Sequence, residues 1–405
     1  QSKRNTMHPS VFETLSPRIQ SGLETLGITD PTPPQVKVIP PILDGKNVLL
    51  IAPTASGKTE AALLPVFDML LNSKPLNGIS IIYITPLRAL NRDIHKRMMF
   101  WADQLDITVE IRHGDTLQKQ RRKQSRKPPQ MLITTPETLQ AILPTKSMRK
   151  HLSSTRWVII DEIHELASSK RGAQLSIGLE RLDQAANVKP QRIGLSATVG
   201  NPETVAAFLG GVQSVIIEKL DVDKTYSYKV KFPQPSDPDF DLADELNMSP
   251  KAASRLNEIK NLVSSHKSSL IFVQGIGQAE ALGFRLKTLD PSIEVHHGSL
   301  CRKQRHKVED LFINGGLKGI VCTSTLHLGI DIGEVDFCIQ YQSPRQVSAL
   351  IQRVGRAGHK LTRLSEGVTI PAYGEDALES LVASEMARNK QIEPIQVHMK
   401  PLDVL

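Results

Sequence analysis

Only three cysteines occur in 405 residues, Cys301, Cys322 and Cys338. Their odd number and irregular spacing exclude a disulfide framework and an iron–sulfur cluster, and leave reduced, mostly buried thiols as the expectation. Long apolar runs are also missing. No stretch approaches the roughly 18 apolar residues that cross a bilayer, and the start at Gln1 to Ser10 has no apolar signal core, so no membrane role and a cytoplasmic location are expected. Aromatic residues are scarce at 4%, which leaves little material for stacking against flat rings. What is present is ordinary for a globular protein, 40% hydrophobic and 23% charged residues, and the length exceeds what one small core fills. Two domains are expected. Fifty Lys and Arg against 42 Asp and Glu give +8, a balance that favours a polyanionic partner contacted through its backbone. The densest cluster is Lys119, Arg121, Arg122, Lys123, Arg126 and Lys127, which reads either as a solvated helix face or as a phosphate-contacting surface.

Short runs rich in Ile and Val alternate with helix-period segments from Asn47 to about Lys219, the pattern of a doubly wound parallel sheet. Strands are expected at 48–52, 79–85, 108–112, 131–134, 157–160, 192–196 and 214–218. The stretch 232–241 is rich in Pro and Asp, is expected to break regular structure, and marks the connection between a first domain, 1–222, and a second, 223–405. A strand-like stretch precedes it at 226–232, and alternation resumes with strands at 269–273, 293–297, 319–322, 336–340 and 367–371. Ligands of such sheets gather beyond the carboxyl ends of the strands, so the loops that follow them share one rim.

The run Ile-Ala-Pro-Thr-Ala-Ser-Gly-Lys-Thr at 51–59 lies between an apolar strand and an amphipathic helix, where a phosphate-binding loop belongs. Backbone N–H groups of Thr54, Ala55, Ser56 and Gly57 suit phosphate oxygens, Lys58 reaches the β and γ phosphates, and the Thr59 hydroxyl suits Mg²⁺. Val-Ile-Ile-Asp-Glu-Ile-His at 158–164 adds Asp161 as a second metal ligand and Glu162 to polarise the attacking water. ATP and Mg²⁺ are the expected cofactors. The second half lacks such a loop but carries Gln-Arg-Val-Gly-Arg-Ala-Gly-His at 352–359, whose Arg356, supported by Arg353, suits the charge that develops in phosphoryl transfer.

Taken together, this series resembles the motifs of superfamily 2 helicases along nearly the whole chain. The neighbourhoods 161–175 and 352–359, with Glu-Arg-Leu at 180–182 and the terminal Pro-Leu-Asp-Val-Leu, are similar to the Lhr, or large helicase-related, family. The resemblance implies two tandem RecA-like α/β domains with a nucleotide cleft between them. It assigns Gln35 to the adenine, Gly329, Asp331 and Gln352 to the nucleotide site, and Arg88, Thr135, His297, Gly298 and Thr323 to a nucleic-acid strand. Ser196 to Thr198 resembles the element that couples the two. His164 has two readings, coupling and packing, and His359 stands where many relatives have a second arginine. The implied activity is a nucleic-acid-dependent ATPase and helicase, 3′ to 5′ on single-stranded DNA, unwinding DNA or RNA:DNA duplexes. A DEAD-box-like RNA remodeller and a nucleotide-gated clamp are the alternatives. Partners would be single strands of DNA or RNA and tailed duplexes. The lack of an initiator Met and the end at Leu405 suggest a monomeric motor core without the winged-helix and later domains of the family.

Overall fold

The computed structural model describes residues 10–53, 56–74, 77–86, 88–220, 225–326, 332–333, 335–358, 364–398 and 401, with the side chains at 88–93, 302 and 325 outside the description. The chain divides into two compact units, Gln1–Asp221 with Pro394–Leu405, and Val222–Glu393.

The first unit is built on seven strands: β1 (Asn47–Ile51), β2 (Ile81–Ile84), β3 (Val109–Arg112), β4 (Met131–Thr134), β5 (Trp157–Ile160), β6 (Gln191–Ser196) and β7 (Val215–Lys219). They pair in parallel in the order β3-β4-β2-β5-β6-β1-β7. Side chains along the inner strands β1, β2, β4 and β5 alternate between two cores. Val48, Leu50, Tyr83 and Ile159 meet the helices Pro33–Leu43, Lys58–Leu71 and Arg88–Leu105, whereas Leu49, Ile82 and Ile160 meet Pro136–Ile142, Lys170–Ala185 and Pro202–Gly210. Cover on both faces explains why these inner strands read as continuous apolar runs. The crossover helices keep the strands parallel, so the loops after β1, β5 and β6, adjacent in the sheet, open on one rim.

Six parallel strands form the second unit: β8 (Tyr226–Val230), β9 (Ser269–Phe272), β10 (Ile293–His296), β11 (Gly319–Cys322), β12 (Phe337–Tyr341) and β13 (Ser365–Ile370), in the order β10-β11-β9-β12-β13-β8. One face packs Ile271, Val321 and Ile339 against the helices Pro250–Ser265 and Ile276–Leu289.

Two expectations are corrected. The Pro/Asp-rich stretch does not break structure throughout, because Asp237–Glu245 is a helix. The Ser236 N–H and hydroxyl both donate to Asp239 Oδ2 at 2.8 Å, and Pro238 sits in the first turn, where a missing N–H costs nothing. The strand-like stretch before it is β8, an edge strand paired with β13. The second correction is at the C-terminus, where Pro394–Leu405 groups with the first unit. There the Ile395 N–H donates to Asn201 Oδ1 at 2.6 Å, Asn201 Nδ2 donates back to Ile395 O at 3.0 Å, and Ile395 and Val397 pack on the first unit's core. Among the described residues no helix is long and apolar enough to cross a membrane.

Candidate active site

β1 runs into the loop that starts the helix Lys58–Leu71, and Gly57 makes the turn possible. Its φ of +84° is left-handed, and a Cβ there would lie 2.9 Å from Thr32 Oγ1 and 3.2 Å from Gln35 Nε2. Gln35 is buried in the helix Pro33–Leu43, with Oε1 accepting the Thr32 N–H at 2.8 Å. The expected adenine-reading amide therefore packs beside the phosphate loop. Ser56 closes that loop by donating to Pro53 O at 2.8 Å. Lys58 is buried, and Nζ donates to Ala52 O at 2.8 Å and Ser196 O at 3.2 Å, the strand-end carbonyls of β1 and β6. An ammonium has three N–H donors, so one remains for a phosphate oxygen. Thr54 and Ala55 lie outside the described residues.

Two strands away, β5 delivers Asp161 and Glu162, both buried. Glu162 takes a φ of +45°, a conformation that costs an L residue on the order of 1–2 kcal/mol and that recurs at functional turns. Asp161 Oδ1 accepts the Glu162 N–H and Oδ2 accepts the Tyr83 hydroxyl, both at 2.9 Å. Burial first and the Glu162 charge second push the Asp161 carboxyl up from 3.8 to about 6, with Lys58 pulling it down. The same burial, with Asp161 beside it, holds the Tyr83 phenol well above its ordinary value. Two buried carboxylates that repel each other, with a Thr59 hydroxyl in the same unit's phosphate loop, form an oxygen donor set that fits a hard divalent cation.

His164 joins this pair to the Ser196–Thr198 turn. Its Nδ1 accepts the Ala197 N–H at 3.3 Å, lies 3.3 Å from Ser196 Oγ and 3.6 Å from Glu162 Oε2, while Nε2 faces Glu165 Oε1 at 3.5 Å. An Nδ1 that accepts from a backbone amide leaves the ring proton on Nε2. The ring thus lies against both elements.

In the second unit the helix Val347–Val354 carries Gln352 and Arg353, and Arg356 follows its end. Arg353 is buried, donating from Nη1 to Gln340 Oε1 at 2.6 Å with its guanidinium 5.5 Å from the Phe272 ring centre. Arg356 is buried too, and its N–H donates to Arg353 O at 3.1 Å. The helix start is capped from a distance: Glu393 accepts the Val347 and Ser348 N–H groups, each at 3.1 Å, and the Ser348 hydroxyl at 2.5 Å.

The residues assigned to a strand are less uniform. Thr135 is buried at the start of Pro136–Ile142, its hydroxyl 3.2 Å from that of Thr138. His297 is buried with Nε2 2.6 Å from Glu280 Oε1, so the exposed part of that loop is Gly298 and Ser299. Thr323 is buried at the end of β11. The Arg88 side chain, Gly329, Asp331 and His359 lie outside the described residues. Sequence reasoning missed Tyr83, Gln340, Glu393 and Arg97. The last pairs with Glu60 and places Nη1 3.5 Å from Thr59 Oγ1.

Residues 32–205 match the family described as DEAD/DEAH box helicase, and 253–360 match the Helicase conserved C-terminal domain. With the parallel sheets and the Lys58–Asp161–Glu162 cluster, they define a superfamily 2 helicase fold of two RecA-like units. Within that class the chain belongs to the Lhr family. It is similar to the Lhr helicase/probable uracil glycosylase of Mycolicibacterium smegmatis, 37% identical over 94% of this chain and 28% of that protein. The ATP-dependent helicase Lhr-Core of Saccharolobus solfataricus is 37% identical, over 92% of this chain and 45% of that protein. A solved structure, of the Mycobacterium smegmatis helicase Lhr bound to ssDNA and AMP-PNP, matches with a TM-score of 0.87 and 38% identity, covering 98% of this chain and 52% of that one. The chain therefore spans less than half the length of these curated relatives.

Proposed function

We propose that this chain is a nucleic-acid-dependent ATPase that travels 3′ to 5′ along single-stranded DNA and separates DNA or RNA:DNA duplexes. The observation that carries the reading is the His164 contact. The ring accepts the Ala197 N–H and lies 3.6 Å from Glu162, the base expected to act on water, so that displacement of the Ser196–Ala197 turn moves the ring packed beside that carboxylate.

Each residue then has a task. The loop backbone and Lys58 hold the triphosphate, with Gln35 beside the base. Glu162 accepts the proton of the attacking water as its oxygen bonds to the γ-phosphorus and the bond to the β-phosphate oxygen breaks. Thr59 Oγ1 and Asp161 would hold Mg²⁺, which supplies charge neutralisation on the phosphate oxygens. Gln352 orients water, Arg356 stabilises the charge of the transition state, and Arg353 braces that arginine. Gly329 and Asp331 complete the nucleotide contacts, and Arg88, Thr135, Gly298 and Thr323 grip the strand. His297 can reach it only by leaving Glu280, so that loop acts through the backbone at Gly298.

Support for a single DNA strand as substrate comes from the Mycobacterium smegmatis Lhr structure, whose ligands are ssDNA and AMP-PNP. We place the protein in the cytoplasm, acting as a monomer. The test is unwinding of DNA:DNA and RNA:DNA duplexes with 3′ or 5′ tails, with ATP and with AMP-PNP. Strand separation that needs ATP and a 3′ tail is expected. Separation that proceeds equally from 5′ tails removes the polarity, and separation that proceeds equally with AMP-PNP removes the motor.

A further inference from the structure

The catalytic reading leaves one feature unused, a basic flank at the edge of the first sheet. The helix Gln118–Arg126 follows β3, the edge strand, and the helix Lys146–Leu152 packs beside it. Ser125 Oγ lies 3.6 Å from Met148 Sδ, and His151 Nε2 lies 3.0 Å from Ser125 O, which fixes the two helices side by side. Between them they carry Lys119, Arg121, Arg122, Lys123 and Arg126, then Lys146, Arg149 and Lys150, with Lys127 just beyond, and neither segment contains an acidic residue. Arg121 is turned inward, donating to Gly114 O at 2.7 Å, and Lys123 pairs with Glu110 at 3.2 Å. The other seven are exposed and have no ion-pair partner among the described residues.

We infer that this flank is a docking surface for the phosphate backbone of double-stranded nucleic acid. The inference rests on the reading above that the neighbouring rim grips a strand. Topology places the charge at the right end. β3 lies next to β4, whose loop holds Thr135, and five ladder spacings from β1 and its phosphate loop, about 24 Å. Seven uncompensated cations pay a self-repulsion that a purely solvated face gains nothing from, and a polyanion relieves it. Neither segment holds Phe, Tyr or Trp, so bases have nothing to stack on and only backbone contact remains. Cations spread over two adjacent helices of about 13 and 10 Å form a broad surface instead of a thread. That shape matches the two phosphate rows of a duplex better than a single strand, and a duplex presents one charge per ~1.7 Å of axis.

The test is a fourfold variant, K119Q/R122Q/K146Q/K150Q, made in the full chain at exposed sites away from either core. Binding of a fluorescent 3′-tailed DNA duplex, and of the tail strand alone, is measured without nucleotide over a salt series. For the duplex, the slope of log affinity against log salt should flatten by about 0.9 per lost phosphate contact, up to ~3.6 for four. Tail-strand binding and strand-stimulated ATP turnover should stay as in the wild type. An unchanged duplex slope overturns the proposal, and so does an equal loss on the tail strand, which would make this a single-strand contact. If the wild type binds neither probe, the functional reading fails first and takes this inference with it.

Discussion

Asp161 offers a sharp test because its cost to the fold and its use in the site are opposed. In the folded chain its pKa is about 6 against an ordinary 3.8, so native Asp161 holds its proton more tightly than the unfolded residue does. Stability tied to this group is therefore fully present below pH 3.8 and is lost as pH rises towards and through 6. The linkage integral puts that loss at roughly 1–2 kcal/mol at pH 5 and roughly 3 kcal/mol at pH 7.5. Asp161→Asn mimics the protonated carboxyl and removes the loss. Any fixed penalty from the amide's different donors at Tyr83 and Glu162 cancels between the two pH values, leaving a gain that grows by about 1 kcal/mol from pH 5 to pH 7.5. The chain suits the assay, since its two tryptophans, Trp101 and Trp157, are both buried in the first unit. Their fluorescence in urea, without nucleotide, reports that unit alone. The variant should be relatively more stable at pH 7.5 than at pH 5 and should have lost ATP turnover. A stability difference that is the same at both pH values would refute the argument, because it would show that ionisation of Asp161 carries no cost.

Four further outcomes are expected. Tyr83→Phe removes the donor at 2.9 Å from Asp161 and should destabilise the first unit by about 1.5–3 kcal/mol near neutral pH, read by the same fluorescence, while shifting the acid limb of the ATPase pH profile upward. Arg356→Lys should lower kcat at least tenfold with little change in KM for ATP, since a point charge replaces a planar fork; steady-state kinetics decide it. Glu393→Ala strips the acceptor from Val347, Ser348 and the Ser348 hydroxyl and should cost about 1–3 kcal/mol in a circular-dichroism melt, with Glu393→Gln losing less. Gly57→Ala should lower ATP affinity measured by calorimetry, because φ +84° and the 2.9 Å approach to Thr32 leave no strain-free place for a Cβ.

The inner strands were legible because burial on both faces writes them as apolar runs, and each expected strand lies within two residues of an observed one. The phosphate loop and the acidic pair were legible for a different reason, since their chemistry needs particular residues at fixed spacing. Illegible features depended on distant or competing contacts. Tyr83 sits inside an apolar run where any core aromatic would look the same, and only the fold puts its hydroxyl on Asp161. Glu393 lies 45 residues from the Ser348 N–H it caps, beyond any local signal. The contact of His297 with Glu280 was hidden because Glu280 lies 17 residues away in the preceding helix. The helix Asp237–Glu245 was hidden by treating Pro and Asp as breakers, although at a helix start both are favoured.

The central claim is that ATP chemistry and strand binding are coupled in this chain. ATP turnover titrated with single-stranded DNA, with Lys58→Ala as the blank, measures that coupling most directly. The account predicts turnover that climbs to a plateau with added strand and is absent in the blank. Turnover indifferent to the strand, or equal in wild type and Lys58→Ala, would contradict it.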